Sequence, residues 1–215
     1  MRHTRETKIV PAQETGRHTS AEAHREFDTH EAAVQCYTEA RRRLLNINEW
    51  DLYAGVASAT FQLTDPQGNP VYREPELGDL IRINIPGPGS RAGDGYDWVC
   101  IEAYLETIDA ARDDNTFGFR VRPASNPKSE DTAPAHFYSE ESTSTFLIQR
   151  AGNKVTGAEK GRNEIPNMDA DRWTDRARNS AIAFGASLGM AIPQWKALMD
   201  GILDTDSADA QNSDN

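Results

Sequence analysis

Residues 98–105 read WVCIEAYL and residues 117–122 read FGFRVR, and both stretches alternate apolar with polar side chains. This period of two is typical of a β-strand that packs one face on a core. The segment between the two stretches is too short for a helical crossover, which indicates an antiparallel hairpin. Directly opposed residues share a face, so we expect Glu102 to pair with Arg122 and Tyr104 with Arg120, or the same register shifted by two.

The same alternation recurs at residues 57–63, 81–85 and 143–150, and Pro and Gly lie in the turns between these runs. Several short strands in succession favour an antiparallel sheet that curls on itself, because a parallel sheet needs helices between its strands. We therefore predict an α+β fold built on a small antiparallel β-barrel of about six or seven strands at residues 56–157.

Helices are predicted on both sides of this barrel, within a single domain that spans residues 21–203. Residues 21–47 carry apolar side chains at three- and four-residue spacing, and Ser20 is placed as the N-cap. Residues 170–203 show the same spacing in a helical pair, and the second helix opens at Pro193. We expect these flanking helices to pack together or against the open end of the barrel.

The chain ends and the overall charge limit the class of partner. Residues 1–20 lack a hydrophobic period and residues 204–215 are acidic and polar, so we expect a flexible lead and a disordered tail. The 215 residues carry a formal net charge of −11, which argues against nucleic acid and anionic lipid as partners. No run is apolar enough for a membrane span, and two cysteines fit a cytoplasmic protein. We find no metal-binding spacing and expect no cofactor.

One face of the predicted sheet gathers arginine and aromatic side chains, which are common in binding hot spots. A ladder of ion pairs with Glu102 and of cation–π contacts is a sufficient structural reason for them. The functional interpretation is a non-catalytic binding face for a protein partner or a small polar ligand. Its candidate ligand-binding residues are Arg82, Trp98, Tyr104, Arg120 and Arg122, with His136 at the rim.

Two other functions are kept as alternatives, an enzyme and a DNA-binding regulator. In the enzyme, His136 would act as acid–base in a barrel pocket, near Ser139, Glu140 and Glu141. Adjacency in sequence is weak evidence for such a site, so we assign no catalytic residue. In the regulator, residues 178–200 resemble a helix-turn-helix, but few polar side chains there could contact bases or phosphates. A helical pair packed on the barrel is therefore the favoured interpretation.

Two further features leave alternatives open. The predicted helix at residues 21–47 has apolar residues near heptad spacing, so a homo-oligomer is one interpretation and packing on its own barrel is the other. The polar segment from Gly161 to Asn167 is typical of a turn and a helix cap. Alternatively, Arg162 and Glu164 in that segment would contact a ligand at the barrel mouth.

Overall fold

The computed structural model describes residues 9–55, 59–84, 93–167 and 192–204 of the chain. Within these ranges the chain forms a seven-stranded sheet and three α-helices, which confirms the predicted α+β class. The strands are β1 Arg17–Glu26, β2 Thr60–Thr64, β3 Leu80–Asn84, β4 Asp97–Asp109, β5 Asp114–Pro123, β6 Thr143–Ala151 and β7 Lys154–Glu164. The helices are α1 His30–Leu45, α2 Trp50–Ala54 and α3, residues 192–203, with a 3₁₀ turn at Ile47–Glu49 between α1 and α2.

The sheet is antiparallel throughout, with the strand order β1-β7-β6-β5-β4-β3-β2. From β2 to β7, each strand lies beside the next strand of the chain. β4 and β5 form the predicted hairpin, which is closed where Asp109 opposes Asp114. β1 pairs with β7 instead of β2, so the helical segment between β1 and β2 connects the two opposite edges of the sheet.

The predicted closure into a barrel is wrong, because β1 and β2 are the two edges of an open sheet. A barrel needs its two edge strands to pair. The free edge of β2 is instead occupied at Leu63, whose N–H donates to the side-chain Oδ1 of Asn48 at 2.7 Å. The carbonyl of Leu63 accepts the N–H of Val71 at 3.0 Å. Local groups therefore occupy backbone positions on which another strand would have to bond.

The predicted boundaries at the N-terminal side are also wrong. Residues 17–26 form strand β1, whereas the sequence predicts a flexible lead and the first turns of a helix there. Ala21 and Ala23 are buried and alternate with exposed polar residues, which is the pattern of a half-buried strand. Alanine favours a helix in isolation, but pairing with β7 overrides that weak local preference. The helix begins after Thr29, whose side chain accepts a backbone N–H at 3.2 Å, so Thr29 is the N-cap instead of Ser20.

The helices pack on one side of the sheet, which we call the helix face; the other side is the outer face. Trp50 of α2 lies in the core on this side, with ring centroids 5.2 Å from Phe61 and 4.9 Å from Phe146. Trp195 of α3 contacts the same two rings, at 5.9 Å and 5.3 Å. Alternate residues of the strands therefore share one hydrophobic core with the helices.

Helix α3 confirms the second helix of the predicted C-terminal pair. Its residues Leu198 and Met199 are fully buried in the core. The helix passes so close to α2 that a Cβ on Gly201 would lie 2.0 Å from the carbonyl oxygen of Tyr53. Arg43 of α1 donates to the carbonyl of Gly201 at 2.9 Å, so α3 is held against both other helices.

The predicted first helix of the pair, residues 170–188, lies outside the described residues, as do residues 205–215 of the predicted tail. In the ranges that the structure describes, no helix has the length and apolar character to cross a membrane.

Candidate functional site

A β-bulge at Glu102 divides the predicted arginine–aromatic face between the two sides of the sheet. The register of β4 and β5 shifts there, and Tyr104 opposes Phe119 instead of Arg120. One extra residue reverses the side that each following residue of a strand takes. Tyr104 therefore lies on the helix face, with its ring 5.8 Å from that of Phe119 and its hydroxyl donating to a backbone carbonyl at 2.7 Å. The predicted pairing of Tyr104 with Arg120 is wrong.

Arg120 and Arg122 lie on the outer face and share one carboxylate, that of Glu102. Arg122 donates from Nε to Oε2 of Glu102 at 2.7 Å, and Arg120 donates from Nε to Oε1. Partial burial raises the pKa of Glu102, but the two guanidinium groups outweigh it and hold the pKa below its ordinary value. Both arginines also donate to backbone carbonyls, of Ile9 at 2.7 Å and Glu140 at 2.6 Å. The predicted ion pair of Glu102 with Arg122 is confirmed, but Arg122 lies directly opposite Cys100, so the register up to Ile101 is the predicted alternative shifted by two. Both arginines already have protein partners.

Arg82 and Trp98 face each other across β3 and β4, also on the outer face. Trp98 is buried in a small cluster with Leu80 and Ala135. The Arg82 guanidinium lies over the ring of Tyr96, with Cζ at 4.6 Å from the centroid. Arg82, Trp98, Arg120 and Arg122 therefore share the outer face, whereas Tyr104 of the predicted set lies on the other side of the sheet.

His136 belongs to a segment, residues 135–139, that runs along one end of the sheet from β4 to β7. The backbone N–H of Trp98 donates to the carbonyl of Ala135 at 2.8 Å, and the backbone N–H of Ser139 donates to the carbonyl of Ile165 at 2.9 Å. The Nδ1 atom of His136 accepts the N–H of Tyr138 at 3.0 Å. Burial lowers the pKa of His136 to about 3, so the imidazole is neutral at pH 7. The hydroxyl of Ser139 donates to Glu141 and not to the imidazole.

Glu159 of β7 is a carboxyl group inside the protein, on the helix face directly opposite Phe146. Its exposed fraction is 1%. Among the described residues, neither of its carboxyl oxygens has a hydrogen-bond partner. Burial raises the pKa of Glu159 to about 8, the nearby Glu164 adds to this, and Arg162 and the Ser144 hydroxyl oppose it. Ser144 lies near the carboxyl without reaching hydrogen-bond geometry.

Glu164 brings a second carboxyl to the same place. It is 5% exposed, and Thr19 donates its hydroxyl to Oε1 at 2.8 Å. Its carboxyl lies over Gly161, where a Cβ would be 2.2 Å from Oε1. Burial raises the pKa of Glu164 above its ordinary value, against the effect of the Thr19 and Tyr138 hydroxyls and of Arg17 and Arg162. The Tyr138 hydroxyl lies near Oε2 of Glu164 without reaching hydrogen-bond geometry. We call Glu159 and Glu164 the carboxyl pair.

The surroundings of the carboxyl pair are built from small residues on three sides. Gly157 and Gly161 flank Glu159 along β7, and Ala21 opposes it on β1. On the far side of Gly157 lies α3, because a Cβ there would be 3.4 Å from the sulfur of Met199. The carboxyl pair thus lies at the border between the aromatic core and the end of the sheet.

A third carboxyl, Asp97, lies at the same end of the sheet but on β4, three strands away from β7. It is buried, opposite Ile83 on the helix face. Burial raises the pKa of Asp97 to about 7, opposed by the backbone N–H of Phe137. Within the described ranges, no group of three or more His, Cys, Asp and Glu side chains is arranged to hold a metal ion.

The sequence predicted a turn and helix cap for the segment that holds Glu164, with ligand contact by Arg162 and Glu164 at the barrel mouth as the alternative, and it missed Glu159. β7 continues to Glu164, so the predicted turn from Gly161 is the end of a strand. Asn163 there has a positive φ of 55°, a local irregularity of the kind that resembles a turn in sequence. Glu159 could have been identified from its position four residues after Val155, because residues an even number apart in a strand share a face and Val155 is buried. Two glycines hide that alternation, because they have no side chain to mark a face.

Comparisons with known proteins identify no family. No protein-family model and no curated protein sequence matches the chain. Among solved structures, TTHA0849 from Thermus thermophilus is similar with a TM-score of 0.45 and 10% identity, covering 89% of this chain and 99% of that one. Norcoclaurine synthase from Thalictrum flavum has a TM-score of 0.36 and 8% identity, with 90% and 99% covered. Ara h 8.0201 has a TM-score of 0.36 and 13% identity, with 87% and 99% covered. At values this low, none of these likenesses indicates a function for this chain.

Proposed function

We propose that this chain is a non-catalytic binding protein that takes a small polar organic ligand at the carboxyl pair. The observation that carries the proposal is Glu159, which is 1% exposed and, in the described part of the chain, has no hydrogen-bond partner on either oxygen. A buried polar group without a partner costs roughly 1–3 kcal/mol, and a charged one costs more. A ligand that donates hydrogen bonds to this carboxyl would offset that cost.

The proposal moves the binding site away from the arginine–aromatic face. The guanidinium groups of Arg120 and Arg122 are already engaged by Glu102 and by backbone carbonyls. An anionic ligand there would have to compete with a carboxylate of the protein. At the carboxyl pair, by contrast, acceptor atoms are available and the neighbouring residues are small, which are the properties of a site that receives hydrogen-bond donors.

The two alternative functions have less support. The enzyme needs His136 to exchange a proton near neutral pH, but burial lowers its pKa to about 3 and Nδ1 accepts a backbone N–H. The regulator needs residues 178–200 to present a helix to DNA. The part of that segment in α3 packs Trp195 and Leu198 into the core, and Lys196 forms an ion pair with Asp200 at 2.5 Å.

A thermal-shift screen against a library of metabolites tests the proposal, with the wild type and two variants. Glu159→Gln removes the charge at the site. Glu22→Gln makes the same chemical change on the adjacent strand β1, at an exposed position, and is the matched control. A ligand at one hundred times its Kd stabilises the folded state by about 2.7 kcal/mol, which gives a clear rise in Tm.

The expected result is a compound that raises the Tm of the wild type and of E22Q but has a reduced effect on E159Q. Circular dichroism confirms that both variants are folded before the screen. A compound that shifts E159Q as much as the wild type would place binding elsewhere and overturn the proposal. A library without any stabilising compound would overturn it as well.

A further inference from the structure

The carboxyl pair presents several acceptor atoms together and little to neutralise them. Within the described residues, Oε1 and Oε2 of Glu159 and Oε2 of Glu164 have no hydrogen-bond partner, and we call these three atoms the open oxygens. An ionised carboxylate only accepts hydrogen bonds, so the complementary group must be a donor. A protonated amine fits this requirement, since an ammonium group has three donors and no acceptor.

The charge balance around the pair points the same way. Two carboxyl groups that share one buried place do not both ionise unless a positive charge is near. Arg162 and Arg17 influence the pair from a distance, and across the described ranges neither forms an ion pair with it. Arg162 instead donates to the carbonyls of Gly161 and Thr19, at 2.7 Å and 3.3 Å. A cationic ligand would therefore supply the positive charge that the carboxyl pair lacks among the described residues.

Resting on the proposed function, we infer that the ligand is an organic amine whose ammonium group binds the open oxygens of Glu159 and Glu164. The carbon atoms next to the amine would lie against Phe146, which opposes Glu159 across the sheet. A neutral alcohol has a single donor and would satisfy fewer of the open oxygens. An anionic ligand would be repelled.

Amine binding should also release a proton. Burial raises the pKa of Glu159 to about 8, so this carboxyl is protonated at pH 7 when the site is empty. An ammonium group favours the ionised carboxylate and would displace that proton. Among the described residues, the charged and titratable groups that act on the pair are Arg17, Arg162 and Tyr138, and the pKa of Tyr138 is raised by burial and by the two carboxyl groups.

The test compares amines with alcohols of the same shape: hexylamine with hexan-1-ol, and phenethylamine with 2-phenylethanol. Binding is measured by titration calorimetry at pH 7 in two buffers of different ionisation enthalpy, which reports proton release. We expect the amines to bind the wild type and E22Q with release of close to one proton. E159Q and E164Q should bind them at least tenfold more weakly, and E159Q should release no proton.

The outcomes separate this inference from the function it rests on. Equal affinity for amine and alcohol, or full amine affinity in both E159Q and E164Q, would overturn the ammonium assignment. A neutral library compound that binds at Glu159 while every amine fails would overturn the assignment and leave the binding function intact. If one variant does not fold, the other still decides the outcome, because each removes a different part of the open oxygens.

Discussion

Glu102 and Glu159 are the same residue type in the same sheet, and the two sides of that sheet give them opposite properties. Glu102 lies on the outer face with a guanidinium group on each oxygen, and its pKa is held below the ordinary value. Glu159 lies on the helix face beside Phe146, and burial raises its pKa to about 8. A carboxylate with partners therefore stabilises the fold. A buried carboxyl without partners lowers the stability of the fold, and a ligand can offset that loss.

The largest expected effect concerns the pH dependence that Glu159 imposes on stability. Its pKa is raised in the folded state, so its stabilising contribution is complete below about pH 4.5 and is lost as the pH rises through about 8. The free energy of unfolding should therefore fall across this window by an amount on the order of several kcal/mol. Glu159→Gln should flatten the decline. Urea denaturation at pH 5, 6, 7, 8 and 9 measures it, and parallel curves for wild type and E159Q would contradict the raised pKa.

The second effect concerns Glu102. Glu102→Leu leaves Arg120 and Arg122 half-buried without their carboxylate. We expect a loss of roughly 2–3 kcal/mol in the free energy of unfolding at pH 7, between the values for exposed and fully buried ion pairs. Chemical denaturation measures this loss, and Glu22→Leu at an exposed position of β1 is the control. An unchanged denaturation midpoint in Glu102→Leu would mean that the ion pairs of Glu102 with Arg120 and Arg122 add no stability.

Gly161 offers a smaller change inside the carboxyl pair. A Cβ there would lie 2.2 Å from Oε1 of Glu164 and 2.3 Å from the Thr19 hydroxyl. Both atoms are at the ends of side chains and can move, so Gly161→Ala should cost only about 1–2 kcal/mol, as moderate overpacking does. The same change should weaken ligand binding, because it displaces Glu164. If the Gly161→Ala variant keeps its affinity for the ligand while its free energy of unfolding falls, Glu164 does not contribute to the binding site.

The smallest effect is expected at an exposed carboxylate, Asp113 in the turn between β4 and β5. Arg150 and His30 bind it at 2.7 Å and 3.0 Å, and they lower the pKa of Asp113 to about 2. A lowered pKa contributes stability above about pH 3.8 that is lost as the pH falls through about 2. Asp113→Asn should therefore lower Tm slightly at pH 8, and the difference from the wild type should shrink between pH 4 and pH 2. Thermal melts across this range measure it, and a difference at pH 2 as large as at pH 8 would contradict the assignment.

The alternation of side chains was enough to predict the sheet but not the side on which each residue lies. The hairpin of β4 and β5, strand β6 and helix α3 follow from apolar periodicity, because their buried residues are large. Residues 21–26 of β1 were predicted as helix because Ala21 and Ala23, which are its buried residues, are also good helix formers. The barrel was predicted because alternation says nothing about which edges pair.

The candidate site was harder to predict, for a reason that lies in two local irregularities. The bulge at Glu102 moved Tyr104 away from the arginines, and a single inserted residue leaves no trace in the apolar pattern. On β7, glycines at positions 157 and 161 hid the buried position of Glu159. Arginine and aromatic composition therefore pointed to the outer face, where Arg120 and Arg122 already have protein partners.

The pairing of β1 with β7 also has a consequence for how the chain acquires its structure. The backbone N–H of Glu14, just before β1, bonds the side chain of Asn163 in β7, which follows 149 residues later. At a synthesis rate of roughly 5–20 residues per second, β1 waits on the order of ten seconds for its partner strand. The strands from β2 to β7 can join their neighbours in the order of synthesis, whereas β1 must be kept free of wrong pairings throughout. Its alternating charges, with Arg25 and Glu26 at one end and Glu22 in the middle, suit that delay.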